Sequence, residues 1–566
     1  MSNLHLKHPD QPSTPARPGM SDSLIKWFPF FLVTGILLNA LGLFTDITEP
    51  DSALYASIAK HIAITNDWVN LFGNGHDWLD KPHLPFWLCA FSFKCFGITA
   101  FAYKLPALVC WLIGVLYTYK LAKAIYGNEV AKLSVITYIT AMHVVFSNSD
   151  TRAEAFLTAF IVAATYHIYR AMNLKWSWHI VVGAVYCAMA VMTKGIFILV
   201  TITSGFIIYW IYTRQFKQFI HLKWFALIIL TGGFIIPELY CLYLQFDLHP
   251  EKIVFGHTQV SGIKFFFWDS QFGRFFNNGP IKGSGDNFFF IHTFLWAFIP
   301  WSLLTVIAVF ALAIKKRKQV NKESIIITGS LLVTFIMFSI SKFQLPHYLV
   351  IVFPHFVMMT SQYLEGIKSP RIMGRLNILQ MVLFFAGIAL VLYTTYATGL
   401  FTWYIPVFLL ITITTLCLLL FRGHDLGALI GKGTCLAGLL YLFYFLSFYP
   451  SLMKYNAGMV AGRWFNQNMP DKNVYMYKCD SEAFDFYTKA PVGRLSDLDN
   501  FPKDPEMKDY VILFAPLEKL NMADSRLKIV QQFDYFHVTK LNLNFLSKEK
   551  RQAETGKFVL AEYLIK

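Results

Sequence analysis

Charge is scarce in this sequence. Asp, Glu, Lys and Arg make up 15% of 566 residues, and 55% are hydrophobic; an ordinary soluble domain carries about a quarter charged. Cysteine offers no framework either. The eight cysteines form no CxxC pair and mostly lie in or beside apolar runs, where Cys acts as a small hydrophobe, so neither disulfide scaffold nor zinc knuckle is implied. The net charge of +15 comes without a basic stripe interleaved with stacking residues, which excludes nucleic acid as the partner. The polar opening, Met1 to Ser23, leads into a long apolar segment without a small-residue cleavage pattern, which reads as a retained anchor.

Long apolar runs are what remains. Runs near 20 residues satisfy their backbone inside a bilayer only as helices. About thirteen can be placed, at 27–45, 104–124, 131–147, 153–172, 177–193, 195–213, 224–244, 288–314, 325–341, 346–364, 376–395, 402–421 and 430–449. Two amphipathic juxtamembrane helices are expected near 50–64 and 83–96. The fold class is therefore an all-α polytopic membrane protein, with a cytoplasmic tail at 1–25 and a membrane domain at 26–449.

Positive charge sorts the loops. Lys120, Lys123 and Lys132; Arg170 and Lys175; Arg214, Lys217 and Lys223; Lys315, Lys316, Arg317 and Lys318; Lys368, Arg371 and Arg375; and Arg422 mark the cytoplasmic side with the N-terminus. The outward side then holds the 46–103 loop, the turn at 147–154, the Lys194–Gly195 junction, the 245–287 segment and the 341–348 turn. It also holds the tail from 450 to 566. That tail alternates turn clusters with short β-like runs at 473–477, 510–515, 529–533 and 558–564, a small periplasmic α/β domain. It contains no nucleophile elbow, phosphate loop or metal spacing, so its role is docking or structure.

The outward loops carry the chemistry. Asp46, Glu49 and Asp51 cluster after the first span. Asp51 has an ordinary role as the cap of a helix starting near Ser52, and a carboxylate there also suits proton acceptance. Asp80 and Lys81 adjoin, where Lys81 reads either as an exposed ion-pair partner or as a phosphate ligand. Asp150 and Arg152 sit in a short turn and read equally as solvated. Lys194 lies inside VMTKGIFIL; such a group faces a cavity or snorkels from a helix end. In the 245–287 loop, Asp269 and Arg274 stand out, followed by Lys282 and Asp286. Lys342, His347 and Tyr348 close the set.

The stretches TEPDSALYASIAKHI, WLDKPHLPFWL, MTKGI, FIPW and SKFQLPHYLVIVFP follow in order. With Arg274 in its aromatic loop, they resemble the membrane glycosyltransferases of the aminoarabinose-transferase and protein O-mannosyltransferase group, of the GT-C superfamily. The resemblance implies a polyprenyl-phosphate-linked sugar as donor and a single transfer with inversion at the outer face of the inner membrane. It implies an envelope acceptor: lipid A, a glycan or a protein. Asp51 would be the leading base, with Asp150 the second acid. Glu49, Tyr55, Lys81, Lys194, Arg274, Lys342, His347 and Tyr348 would bind substrate. Asp80, with Asp269, would be the place for a divalent metal, and no nucleotide cofactor is expected. The chain departs from the group at Ser52 and Leu54, where relatives carry Glu and Arg. It has His83 where a second proline follows the lysine, and KGSGD where relatives carry a His ahead of FIPW. A polyprenyl-lipid transporter and a non-catalytic lipid-binding protein are the alternatives; the first predicts internal repeats, and none is visible.

Overall fold

The computed structural model describes residues 21–174, 176–314, 321–498 and 510–565. Most of the expected N-terminal tail, Lys175, the cluster Lys315 to Lys318 and the turn at 501–509 lie outside the described residues.

The long apolar runs of the membrane domain form helix. The first ten α-helices among the described residues are α1 (Ser21–Leu41), α2 (Asp51–Thr65), α3 (Leu84–Phe96), α4 (Ala100–Tyr126), α5 (Asn128–Ile139), α6 (Met142–Ser149), α7 (Ala153–Met172), α8 (Trp178–Lys194), α9 (Ile198–Tyr212) and α10 (Leu222–Leu242). Helices Ser302–Ile314, Ser324–Ile340, Phe353–Glu365, Pro370–Thr398, Tyr404–Leu420 and Leu426–Phe443 follow. Among the described residues, six helical segments are long and apolar enough to cross a membrane, seven if α5 and α6, bent by 54°, count as one. Several others are helical but shorter, so length and composition alone do not reach thirteen crossings. Local chemistry sets several starts: Thr99 Oγ1 accepts from Ala102 N–H ahead of α4, and Ser177 Oγ from His179 N–H ahead of α8, satisfying amides the helix leaves free.

Contacts divide the bundle into two ends. At one, Asn321 Nδ2 donates to the Ile125 carbonyl at 2.6 Å, and Lys223 Nζ donates to the carbonyls of Ala171, Met172 and Leu174. At the other lie the turns around residues 48, 81, 152, 194, 274 and 347. Thus three of the loops sorted by positive charge, near residues 125, 172 and 321, meet at one end, and the turns of the candidate site meet at another. The two juxtamembrane helices form where expected. However, α2 is buried on nearly every face from Ser52 to Ala59, because the tail domain covers the side that would otherwise meet solvent.

That tail domain is a five-stranded sheet in the order β4–β3–β5–β7–β6. Strands β3 (Val474–Tyr477), β4 (Val492–Leu495) and β5 (Tyr510–Pro516) pair in parallel; β6 (Leu527–Tyr535) and β7 (Gly556–Leu564) add antiparallel. A two-stranded ribbon, β1 (Phe72–Gly73) and β2 (His76–Asp77), lies in the first loop. The tail's helix Glu482–Tyr487 packs on α2: Ser57 Oγ donates to the Glu482 carbonyl, and Lys60 Nζ donates at 2.6 Å to that of Asp485. Lys60 thereby closes the C-terminal end of that helix; burial lowers its pKa to about 8.

Candidate active site

Each polar group reaches the site from an element end. The 150–152 turn between α6 and α7 is pinned because Ser52 Oγ and Tyr103 OH both donate to the Thr151 carbonyl, at 3.2 and 2.9 Å. Arg152 follows directly. Its Nη1 donates to Asp51 Oδ2 at 2.7 Å and its Nε to Asp150 Oδ2 at 3.0 Å. One guanidinium therefore fixes the Asp51 carboxylate, and Asp51 does not cap its helix.

Lys194 ends α8 at Gly195, whose φ of +97° a side chain adopts only under strain. Its ammonium pairs with Glu154, in the first turn of α7, and stands 3.6 Å from the Tyr348 ring centroid, a cation–π contact. Gln271 Nε2 donates to the Lys194 carbonyl at 3.2 Å, tying the helix end to a nine-residue π-helix, Phe265–Gly273. Such π segments concentrate at functional sites. Arg274 comes immediately after it. Asp80 pairs with both Arg274 and Lys81, so those two cations are held together. His347 Nε2 lies 3.8 Å from Glu154 Oε1, and its Nδ1 lies 3.4 Å from Arg152 Nη1.

Two cavities meet here. One encloses about 960 Å³ and is walled mainly by apolar side chains, among them Leu79, Phe197, Ile198, Leu242, Phe265, Phe266, Phe275, Met337 and Phe338. The second, of about 520 Å³, is polar and is bounded by Asp51, Tyr55, Trp78, Arg152, Glu154 and His347. Asp80, Lys81, Arg274, Phe343 and Tyr348 border both. A greasy chamber and a polar one thus share a cationic junction.

The carboxylates are not equivalent. The Asp51 side chain is 39% exposed, against 16% for Asp80 and 3% for Glu154. Glu154 is committed to Lys194, and Asp80 to two cations. Asp51 is therefore the acid open to an incoming group. Burial pushes the Asp150 carboxyl upward, but Arg152, the Thr48 hydroxyl and Lys104 outweigh it and hold the pKa below the ordinary value.

The structure brings Asp51, Tyr55, Asp80, Lys81, Lys194, Arg274, His347 and Tyr348 to these two cavities. Four other expected site residues lie outside both. Asp150 stands behind Arg152, bonded to Thr48 Oγ1 at 2.6 Å, and borders neither cavity, because the guanidinium lies between. Glu49 accepts from Ser481 Oγ at 2.6 Å and Ala483 N–H at 2.7 Å; it is bonded to the tail domain and borders neither cavity, and burial raises its pKa. Lys342 is exposed and outside both cavities. Asp269 likewise borders neither. Among the described residues no three His, Cys, Asp or Glu side chains converge as metal ligands, and Asp80, the expected place for a divalent metal, is engaged by Lys81 and Arg274. Glu154 and Trp78 were not anticipated. Glu154 reads in sequence as an acid complementing a helix start; only its position facing Lys194 distinguishes it.

Residues 80–240 match the family described as dolichyl-phosphate-mannose-protein mannosyltransferase. An uncharacterized protein of Aquifex aeolicus (strain VF5) is 25% identical over 395 residues, 68% of this chain and 74% of that protein. The undecaprenyl phosphate-alpha-4-amino-4-deoxy-L-arabinose arabinosyl transferase 2 of Proteus mirabilis (strain HI4320) is 26% identical over 380 residues. That match covers 64% of this chain and spans 63% of the relative's length. The crystal structure of ArnT from Cupriavidus metallidurans bound to undecaprenyl phosphate superposes with a TM-score of 0.73 at 15% identity, covering 95% of this chain and 98% of that one. In sequence, over about two thirds of its length, the chain resembles the aminoarabinose transferases, with residues 80–240 also matching the mannosyltransferase family, and in fold it resembles ArnT over nearly its whole length.

Proposed function

We propose that the protein is an integral membrane glycosyltransferase, moving a sugar from a polyprenyl-phosphate donor to a lipid A, glycan or protein acceptor at the outer face of the inner membrane. The observation that carries this reading is the cationic junction between an apolar and a polar cavity. A polyprenyl phosphate sugar has the same three parts in the same order: an apolar chain, an anion and a polar ring. The prenyl chain occupies the apolar cavity, the phosphate meets Lys81, Arg274 and Tyr348, and the sugar projects into the polar chamber beside Asp51.

The chemistry follows from that placement. The acceptor's O–H or N–H attacks the anomeric carbon while the bond from that carbon to the phosphate oxygen breaks, its electron pair leaving with the phosphate. Lys81 and Arg274 stabilise the departing charge where it develops. Asp51 takes the acceptor's proton, its carboxylate aimed by Arg152. Attack opposite the leaving group inverts the anomeric centre. Lys194 and Glu154 together set Tyr348 at the junction. The tail domain lies on the periplasmic side.

Replacing Asp51 with Asn tests this directly. Turnover of an undecaprenyl-phosphate sugar should fall by about 10²–10⁴-fold, while undecaprenyl phosphate still binds. A variant that keeps full turnover would sink the assignment. So would unchanged envelope lipids and glycoproteins, by mass spectrometry, in cells lacking the protein.

A further inference from the structure

The wall of the apolar cavity contains one acid that no step above uses. Glu238 lies near the end of α10, beside Pro237, and is fully buried. Its carboxylate takes two hydrogen bonds from a single residue: His83 N–H donates to Oε2 at 3.0 Å, and His83 Nδ1 lies 2.9 Å from Oε1. The other ring nitrogen of His83 is 2.9 Å from the Val69 carbonyl, and the ring too is fully buried. Whichever partner holds the shared proton, the pair is net neutral. A bare carboxylate at this wall would repel an anion at the adjoining junction; the paired one does not.

His83 is two residues after Lys81, and Pro82 between them has a ring-locked φ. The clamp therefore fixes the chain a short, stiff step from the ammonium. It requires a backbone N–H at 83, which a proline would lack. It also joins the Asp80–Pro82 loop to α10, a helix with no other polar link to that loop among the hydrogen bonds described.

We propose that Glu238 and His83 are positioning residues: together they hold Lys81 at the cavity junction, and so set affinity for the lipid-linked phosphate without touching it. This inference rests on the junction being the phosphate site. Its test uses the full-length protein in lipid nanodiscs, with undecaprenyl phosphate as the binding probe and the lipid-linked sugar for turnover. Lys81→Ala reports on the underlying reading.

Glu238→Leu is expected to weaken undecaprenyl phosphate binding and raise the donor KM by about tenfold, with kcat within about twofold. Glu238→Gln, which can still accept the His83 N–H, should recover most of that affinity. The double variant Glu238→Leu with Lys81→Ala should bind no more weakly than Lys81→Ala alone, since both losses act through one ammonium. A purely structural role predicts instead that the two losses add and that kcat falls with the folded fraction; additive losses, or wild-type affinity in Glu238→Leu, overturn the proposal. Should Glu238→Leu not fold, His83→Ala carries the same comparison. If Lys81→Ala binds the probe as well as wild type, the junction is not the phosphate site and the reading beneath the proposal fails with it.

Discussion

Three acids within six positions divide their work by partner. Asp46 pairs with Arg463 of the tail domain and accepts from Tyr487 OH at 3.1 Å, Glu49 caps the tail's short helix, and Asp51 alone turns to the cavity. Asp150 supports that arrangement from behind, so Asp150→Asn should destabilise the protein by roughly 1–3 kcal/mol at neutral pH. Because its pKa is depressed in the folded state, the stabilisation is complete above the ordinary carboxylate value near 3.8. It is lost as pH falls through the depressed one. Melting curves of wild type and variant should converge only in strong acid. At this scale much was legible. Lys194 stood out as an ion inside apolar sequence, and Lys81, Arg274 and Tyr348 as cation and aromatic partners at loop ends. Glu49 and Lys342 misled because a loop's charge says nothing about which neighbour it faces. The tail that captures Glu49 lies more than 400 residues away along the chain.

Among the elements, buried lysines recur as closures of helix and turn ends. Lys104 donates to the carbonyls of Gly42, Thr45 and Asp46, Lys223 to three carbonyls at the C-terminal end of α7, and Lys432 to Asn377 Oδ1 and the Gly423 carbonyl. Each supplies donors to groups a helix leaves unbonded. Periodicity and charge exposed the helices and their sidedness. They did not expose the break in α5–α6 or the π-helix before Arg274, because both arise from tertiary packing. Gly195 shows how tight that packing is. A Cβ there would fall 2.1 Å from Gln271 Nε2, on a backbone conformation L residues seldom adopt. Gly195→Ala should therefore cost about 1–3 kcal/mol and impair turnover by moving Lys194, read by thermal unfolding and steady-state assay together.

Across the whole molecule, the membrane bundle and tail domain share α2 as a common wall. Lys60 bridges them, donating to the carbonyls of Asp485, Phe486 and Thr488. Burial lowers its pKa from 10.5 to about 8, so between those values the unfolded chain binds more protons and stability rises with pH. Lys60→Met should erase that alkaline rise and loosen the tail domain, measured as faster proteolysis between 450 and 480 at pH 7.

Only Pro50 separates Glu49, gripped by the tail domain, from Asp51, gripped by Arg152. The carboxylate proposed as proton acceptor and the tether to the tail domain are thus neighbouring links of one stretch of backbone. Under the proposed function, a macromolecule that seizes the tail domain pulls on the cavity's carboxylate, so that its docking is felt there as force.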